Sequence, residues 1–191
     1  EIGVRLVGSE MCIRDSQTLS NNDALKAARL ELENKINQTV QTDGMTQQSV
    51  DAYQNAKREA QNESNTALAL INNGDATEQQ ISTETDRVNQ QTTNLTQAIN
   101  GLTVNKEPLE TAKTALQNNI DQVPSTDGMT QQSVANYNQK LQIAKNEINT
   151  INNVLANNPD VNAIRTNKAE AERISNCLLY TSDAADEGLG V

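Results

Sequence analysis

The sequence predicts an all-α protein: tandem three-helix bundles, up-down-up, forming a rod, with the second bundle truncated. Two observations predict it. Thr42–Val50 reads TDGMTQQSV, and Thr126–Val134 reads TDGMTQQSV again, 84 residues later. Nine identical residues at a fixed offset mark a tandem repeat, whose unit is one supersecondary motif stacked on the next. Apolar residues also recur at helical spacing through most of the chain, against a background of Asn, Gln, Thr and Ala.

The two ends are expected to be foreign to this pattern. Met11–Asp15 reads MCIRD and Cys177–Thr181 reads CLLYT. The codons ATG TGT ATA AGA GAC and TGT CTC TTA TAC ACA encode them, and these strings are reverse complements offset by a frame. They resemble the inverted transposon ends of sequencing-library adapters. Residues 1–16 and 177–191 therefore read as translated adapter and are expected to pack poorly, save that a truncated second bundle can capture Leu178 and Leu179. Both cysteines, Cys12 and Cys177, fall in these ends, which voids any disulfide argument. The ends carry 2 of the 15 basic and 6 of the 25 acidic residues, which leaves 13 and 19 in residues 17–176. The domains are then repeat one at 17–104 and repeat two at 105–176.

The remaining composition excludes several classes. No long apolar run could cross a membrane. Mild acidity without a Lys/Arg cluster argues against nucleic acid as a partner. Few aromatics would suggest disorder, but the helical period overrides that reading.

In chain order, Asn21 or Asn22 can cap a first helix, whose face is Leu25, Ala28, Leu32, Ile36 and Val40. Asp43-Gly44 is a turn signal. Thr46 has N-cap chemistry, and Met45 with Val50 fits a hydrophobic staple. The second helix, about Gln47–Asn72, turns Val50, Tyr53, Ala56, Ala60, Ala67 and Ile71 inward, with Lys57 and Ser64 as polar interruptions. Asn73-Gly74 ends it, Gly74 suiting a left-handed position. Thr77 and Gln80 form a capping box. Ile81, Val88, Leu95 and Leu102 then recur every seven residues, a seam for near-parallel packing.

The second copy repeats the plan. Asn105 can cap, and Pro108 falls in the first turn, where proline is tolerated. Leu109, Ala112, Leu116 and Ile120 match the first face, and Pro124 breaks the loop. Val134, Tyr137, Leu141, Ala144, Ile148, Ile151 and Leu155 form the next seam. After Asn158-Pro159-Asp160, Val161, Ile164 and Ala171 begin a third helix that is expected to be cut at Asn176. Breaks are expected near 41–46, 73–77, 101–106, 122–130 and 157–160.

Little here carries chemistry. There is no His and no glycine-rich phosphate loop. Asp43, Asp75, Asp127 and Asp160 lie at turns without the alternating oxygens of a calcium loop. Tyr53 and Tyr137 fall on the apolar face, where packing is the simple reading. Asn37, Asn62 and Asn94 match the glycosylation pattern, which an Asn- and Thr-rich chain produces by chance. Glu/Lys pairs on outer faces read as solvated surface. No catalytic, cofactor or metal residue is assigned, and an enzyme is not expected.

Several stretches resemble the FIVAR three-helix repeat: ALKAA, LENKI, TDGMTQQSVDAY, NAKREA, INNGDATEQQI, LTQAINGL and PLETAKTALQNNID. The resemblance covers residues 17–176 and neither end. It implies a long secreted array on a Gram-positive cell wall that binds host extracellular matrix, fibronectin above all. It carries no individual binding residue. A mechanical spacer without a ligand of its own is the other reading.

Overall fold

A computed structural model describes residues 22–122, 124–125 and 127–186, with side chains to residue 179. Among the described residues there are six helices: α1 (22–36), α2 (Gln47–Ile71), α3 (Glu78–Asn100), α4 (Glu107–Asp121), α5 (Gln131–Ala156) and α6 (Val161–Asp186). The chain divides into two compact units between Thr103 and Val104.

In the first unit, α1 to α3 bury one stripe each. The core is Leu25, Ala28, Leu32, Ile36, Tyr53, Ala60, Ala67, Ile81, Val88 and Leu95. Small residues dominate the contribution of α2, so the neighbouring helices supply the bulk with Leu, Ile and Val. The heptad seam of α3 is real: Ile81, Val88 and Leu95 are fully buried, and Leu102 is half-buried beyond the helix end. Thr46 at the start of α2 donates its N–H to the carbonyl of Thr103, just past α3, at 2.7 Å. The start of one helix thus meets the end of the next, as antiparallel neighbours do.

The second unit repeats this with Leu109, Ala112, Leu116, Ile120, Tyr137, Ala144, Ile151, Ile164, Ala171, Ile174 and Leu178. Its connectivity is fixed by two contacts. Lys106 Nζ at the start of α4 donates to the carbonyl of Leu155 at the end of α5, at 2.9 Å. Asn119 near the end of α4 donates to Ser175 Oγ late in α6, at 2.5 Å. α4 therefore runs opposite to α5 and alongside α6.

Helix ends follow local chemistry. Thr46 and Thr130 accept from Ser49 and Ser133 N–H at 3.4 and 3.1 Å. Thr77 and Gln80 complete the capping box. Asp160 caps α6, accepting from Ala163 N–H at 2.7 Å. Asn105 caps through Glu107 N–H at 3.0 Å, while Lys106 holds the N-cap backbone position.

Four expectations change. α1 ends at residue 36, so Val40 lies in the loop, half-buried against the core. Gln38 N–H bonds the Lys35 carbonyl three residues back, and the β-branched Thr39 and Val40 do not extend the helix. Asn22 is helical, so it does not cap α1, and Asn21 lies outside the described residues. Gly74 is not left-handed; the positive φ in these inter-helix turns belongs to Asn158, at 44°. Finally, α6 does not stop at Asn176 but continues to Asp186.

Leu178 shows what that continuation does. It is 3% exposed in the second core, and it sits 83 residues after Leu95, as Ile164 and Ala171 follow Ile81 and Val88. The expected poor packing of residues 177–191 thus fails at Leu178, because the helical register places a leucine at the third seam position. Leu179, on the next face, is 44% exposed. The same expectation for residues 1–16 lies outside the described residues.

The polar interruptions of α2 also acquire partners. Ser64 is buried, and its hydroxyl donates to Glu33 Oε1 at 3.3 Å, while Arg29 Nε donates to the Ser64 carbonyl at 3.0 Å. Arg29 also pairs with Glu33. Lys57 is half-buried with its ammonium 6.0 Å from the Tyr53 ring centroid. At the 84-residue offset the second unit has Ile148 and Leu141. Sequence alone suggests that Ser64→Ile and Lys57→Leu each stabilise the first unit by roughly 1–2 kcal/mol. Ser64→Ile also gives up a hydrogen bond of about 1 kcal/mol, so its expected gain falls to between zero and about 1 kcal/mol. Lys57→Leu keeps a gain of about 1 kcal/mol. Urea denaturation of the full chain measures both, and a larger gain from Ser64→Ile than from Lys57→Leu would show that the Glu33 bond contributes nothing.

Candidate functional site

The repeated loop is the first candidate surface. In each copy the turn needs a left-handed third residue, supplied by Gly44 at φ 80° and Gly128 at φ 83°. Met45 N–H closes the first turn on the Thr42 carbonyl at 3.2 Å. Met45 and Val50 are half-buried, as are Met129 and Val134, while Gln47, Gln48, Gln131 and Gln132 face water. Ser49 Oγ donates to the Thr46 carbonyl at 2.9 Å and accepts Thr103 N–H at 3.2 Å. The first loop is thus tied to its own bundle, presenting amides and an aspartate and no aromatic or arginine anchor.

Grooves between helices form the second candidate. An open groove of about 370 Å³ in the first unit is lined by Glu33, Ile36, Gln61, Asn62, Ser64 and Asn65. Another in the second unit, about 340 Å³, is lined by Pro108, Thr111, Ala112, Ala115, Lys168 and Glu172. Both are shallow troughs along helix pairs, and neither gathers convergent catalytic groups of the kind that mark an enzyme pocket.

The turn aspartates behave as placed by sequence. Asp43, Asp75 and Asp127 sit in turns, and Asp160 serves its helix cap. Among the described residues, no group of three or more His, Cys, Asp or Glu side chains comes together to hold a metal ion. No helix among them is long and apolar enough to cross a membrane. Tyr53 and Tyr137 are both buried. The Tyr137 hydroxyl has no hydrogen-bond partner, and burial pushes its pKa up.

Sequence reasoning missed a set of buried acids. Glu63 on α2 and Glu84 on α3 have side chains 11% and 6% exposed, and both approach Arg87 of α3, at 3.2 and 3.6 Å. Burial pushes the Glu84 carboxyl up, the neighbouring Glu63 charge adds to this, and Arg87 opposes it. In the second unit Glu147 of α5 faces Glu170 and Arg173 of α6. Burial raises Glu147, Glu170 raises it further and Arg173 opposes. The signal was present in the first case: Glu84 lies three residues after Ile81 and four before Val88, on the core face. The sequence reading weighed only the Glu/Lys pairs on outer faces and passed over it.

Comparison with known proteins adds the relationship. The FIVAR domain model matches residues 28–103 and 112–178. Extracellular matrix-binding protein EbhB of Staphylococcus aureus strain Newman is 50% identical over 173 residues, 91% of this chain. Extracellular matrix-binding protein ebh of strain USA300 and EbhB of strain N315 show the same identity and coverage. The chain spans only 2% to 4% of the length of these relatives. No solved structure matches.

Proposed function

We propose, since this chain belongs to the FIVAR domain family, that it is a non-enzymatic repeat segment of a bacterial surface adhesin. It would sit outside the cell in a wall-associated array and contact host extracellular matrix, fibronectin-type proteins first, through many weak sites. The observation that carries this reading is the half-identity to proteins named for matrix binding over nine-tenths of the chain. The repeated TDGMTQQSV loop supports the multivalent part, because it offers the same surface at each period.

A mechanical spacer is the second reading, favoured by a specific feature. The exposed faces are amide- and hydroxyl-rich, and buried aromatic or arginine hot spots are what normally supply affinity. The test is retention of the full chain on surfaces coated with fibronectin, other matrix proteins or albumin. Retention on a matrix protein above albumin is expected for the adhesin repeat. Equal retention on all surfaces, together with no gain on lengthening the array, would leave the spacer.

A further inference from the structure

Each unit puts more acid than base into the seam between its second and third helices. In the first, Glu63 and Glu84 lie together under one arginine, Arg87, which is 61% exposed and divides itself between them. Glu84 Oε1 is buried without a hydrogen-bond donor, and Glu63 Oε1 has only the ion-pair contact with Arg87 Nε at 3.2 Å, outside hydrogen-bond geometry. The facing helix α1 gives no relief. Its Arg29 is engaged by Glu33 and by the Ser64 carbonyl, and Glu33 adds a further negative charge. In the second unit, Glu147 Oε1 is likewise buried without a donor. The arginine that faces it, Arg173, is held by both oxygens of Glu170, at 2.8 and 2.5 Å. At the α1 positions of Arg29 and Glu33, α4 carries Lys113 and Gln117.

Two buried carboxylates served by one shared cation leave oxygen lone pairs facing each other. A single proton removes that repulsion and supplies the missing donor. The arrangement is not a by-product of one local sequence. Glu63 and Glu147 are one repeat apart, at 84 residues, while their partners reach the seam as Glu84-x-x-Arg87 in one unit and Glu170-x-x-Arg173 in the other. The two Glu-x-x-Arg pairs are 86 residues apart, whereas the apolar seam repeats at 83, so a related carboxyl-rich contact arises from a different turn of the third helix, with Glu147 half-buried and Glu170 42% exposed.

We propose that this contact is a proton-operated lock: Glu63–Glu84 with Arg87, and Glu147 beside Glu170–Arg173, each taking up one proton in mildly acidic surroundings and thereby tightening its bundle. The direction follows from linkage. The folded-state pKa of Glu84 and of Glu147 is raised, so the folded form binds protons more strongly than the unfolded chain. Stability is therefore greatest once pH has fallen to the ordinary glutamate value of 4.5 and is lost as pH rises through the raised values. Glu170 acts oppositely. Its hydrogen bonds to Arg173 lower its pKa, so protonating it below 4.5 loosens the fold again. The expected profile rises from neutral pH down to the ordinary glutamate value of 4.5, with each linked proton changing the folding equilibrium by up to about tenfold per pH unit.

The experiment is urea denaturation of the full chain from pH 7.5 to 4.5, with ¹³C NMR titration of the glutamate side chains. The unfolding midpoint should rise as pH falls, and Glu84 and Glu147 should titrate above the exposed glutamates. Glu84→Gln, a neutral isostere that can donate to Glu63, should raise the first unit's midpoint at pH 7.5 and flatten its pH dependence. Glu147→Gln should do the same in the second unit. Midpoints that stay level or fall between pH 7.5 and 5, or Gln variants that keep the full pH slope, would overturn the lock. Ordinary titration of both carboxyls by NMR would overturn it even where a variant folds poorly.

Discussion

An array of eight repeats will be retained on a matrix-coated surface far more strongly than one repeat, by roughly 10²–10⁴-fold. The exposed side chains of both units are mostly Asn, Gln, Thr and Ser, and among the described residues the exposed large apolar side chains are Leu30, Leu68, Ile143 and Leu179. Such a face lacks the desolvated anchors that give a single site high affinity, so one unit should bind at micromolar strength or weaker. Repeating the unit raises effective concentration after the first contact. Surface binding of one-, two- and eight-repeat chains to immobilised fibronectin and other matrix proteins measures the effect. Tight binding by a single repeat would remove the need for avidity. No binding at any length would leave the array a spacer.

Leu95→Ala will destabilise the first unit by about 2–5 kcal/mol, a large share of the roughly 5–15 kcal/mol available to a domain. Leu95 is fully buried at the third seam position, in the same core as Tyr53 of α2 and Leu25 and Leu32 of α1. The surrounding helices relax only partially into the space, so the lost transfer energy is joined by a cavity term. Leu178→Ala should cost the second unit about as much, because Leu178 occupies the matching position at 3% exposure. Leu30→Ala serves as the contrast: at 59% exposure it should change stability by less than about 0.5 kcal/mol. Thermal or urea unfolding separates the cases. An unchanged midpoint for Leu178→Ala would mean that residues beyond Asn176 add nothing to the second core.

The helices and the family were legible because their signals are local. The repeated TDG turn, the threonine caps and the seven-residue seam each depend on residues within one or two turns of chain, and the structure keeps them. The alternation of apolar and polar residues named nearly the whole core of both units. The misplaced residues have local reasons too. Val40 continued the apolar spacing, but spacing says nothing of where backbone bonding stops. Gly74 is permissive of left-handed geometry, and permission is not a requirement.

By itself the sequence determined the helical period, the turn chemistry, the repeat and the kinship, since all of these are written in the order of residues along one chain. Only the tertiary structure decided which polar groups are brought together across helices. Ser64 beside Glu33 depends on two helices meeting 31 residues apart in sequence. Glu63 beside Glu84, and Glu147 beside Glu170, depend on the rotation of one helix against another. A one-helix pattern marks a glutamate as lying at the edge of an apolar stripe. Whether that edge faces water or a second carboxylate is set by the partner helix, and the difference in solvation is what shifts its proton affinity.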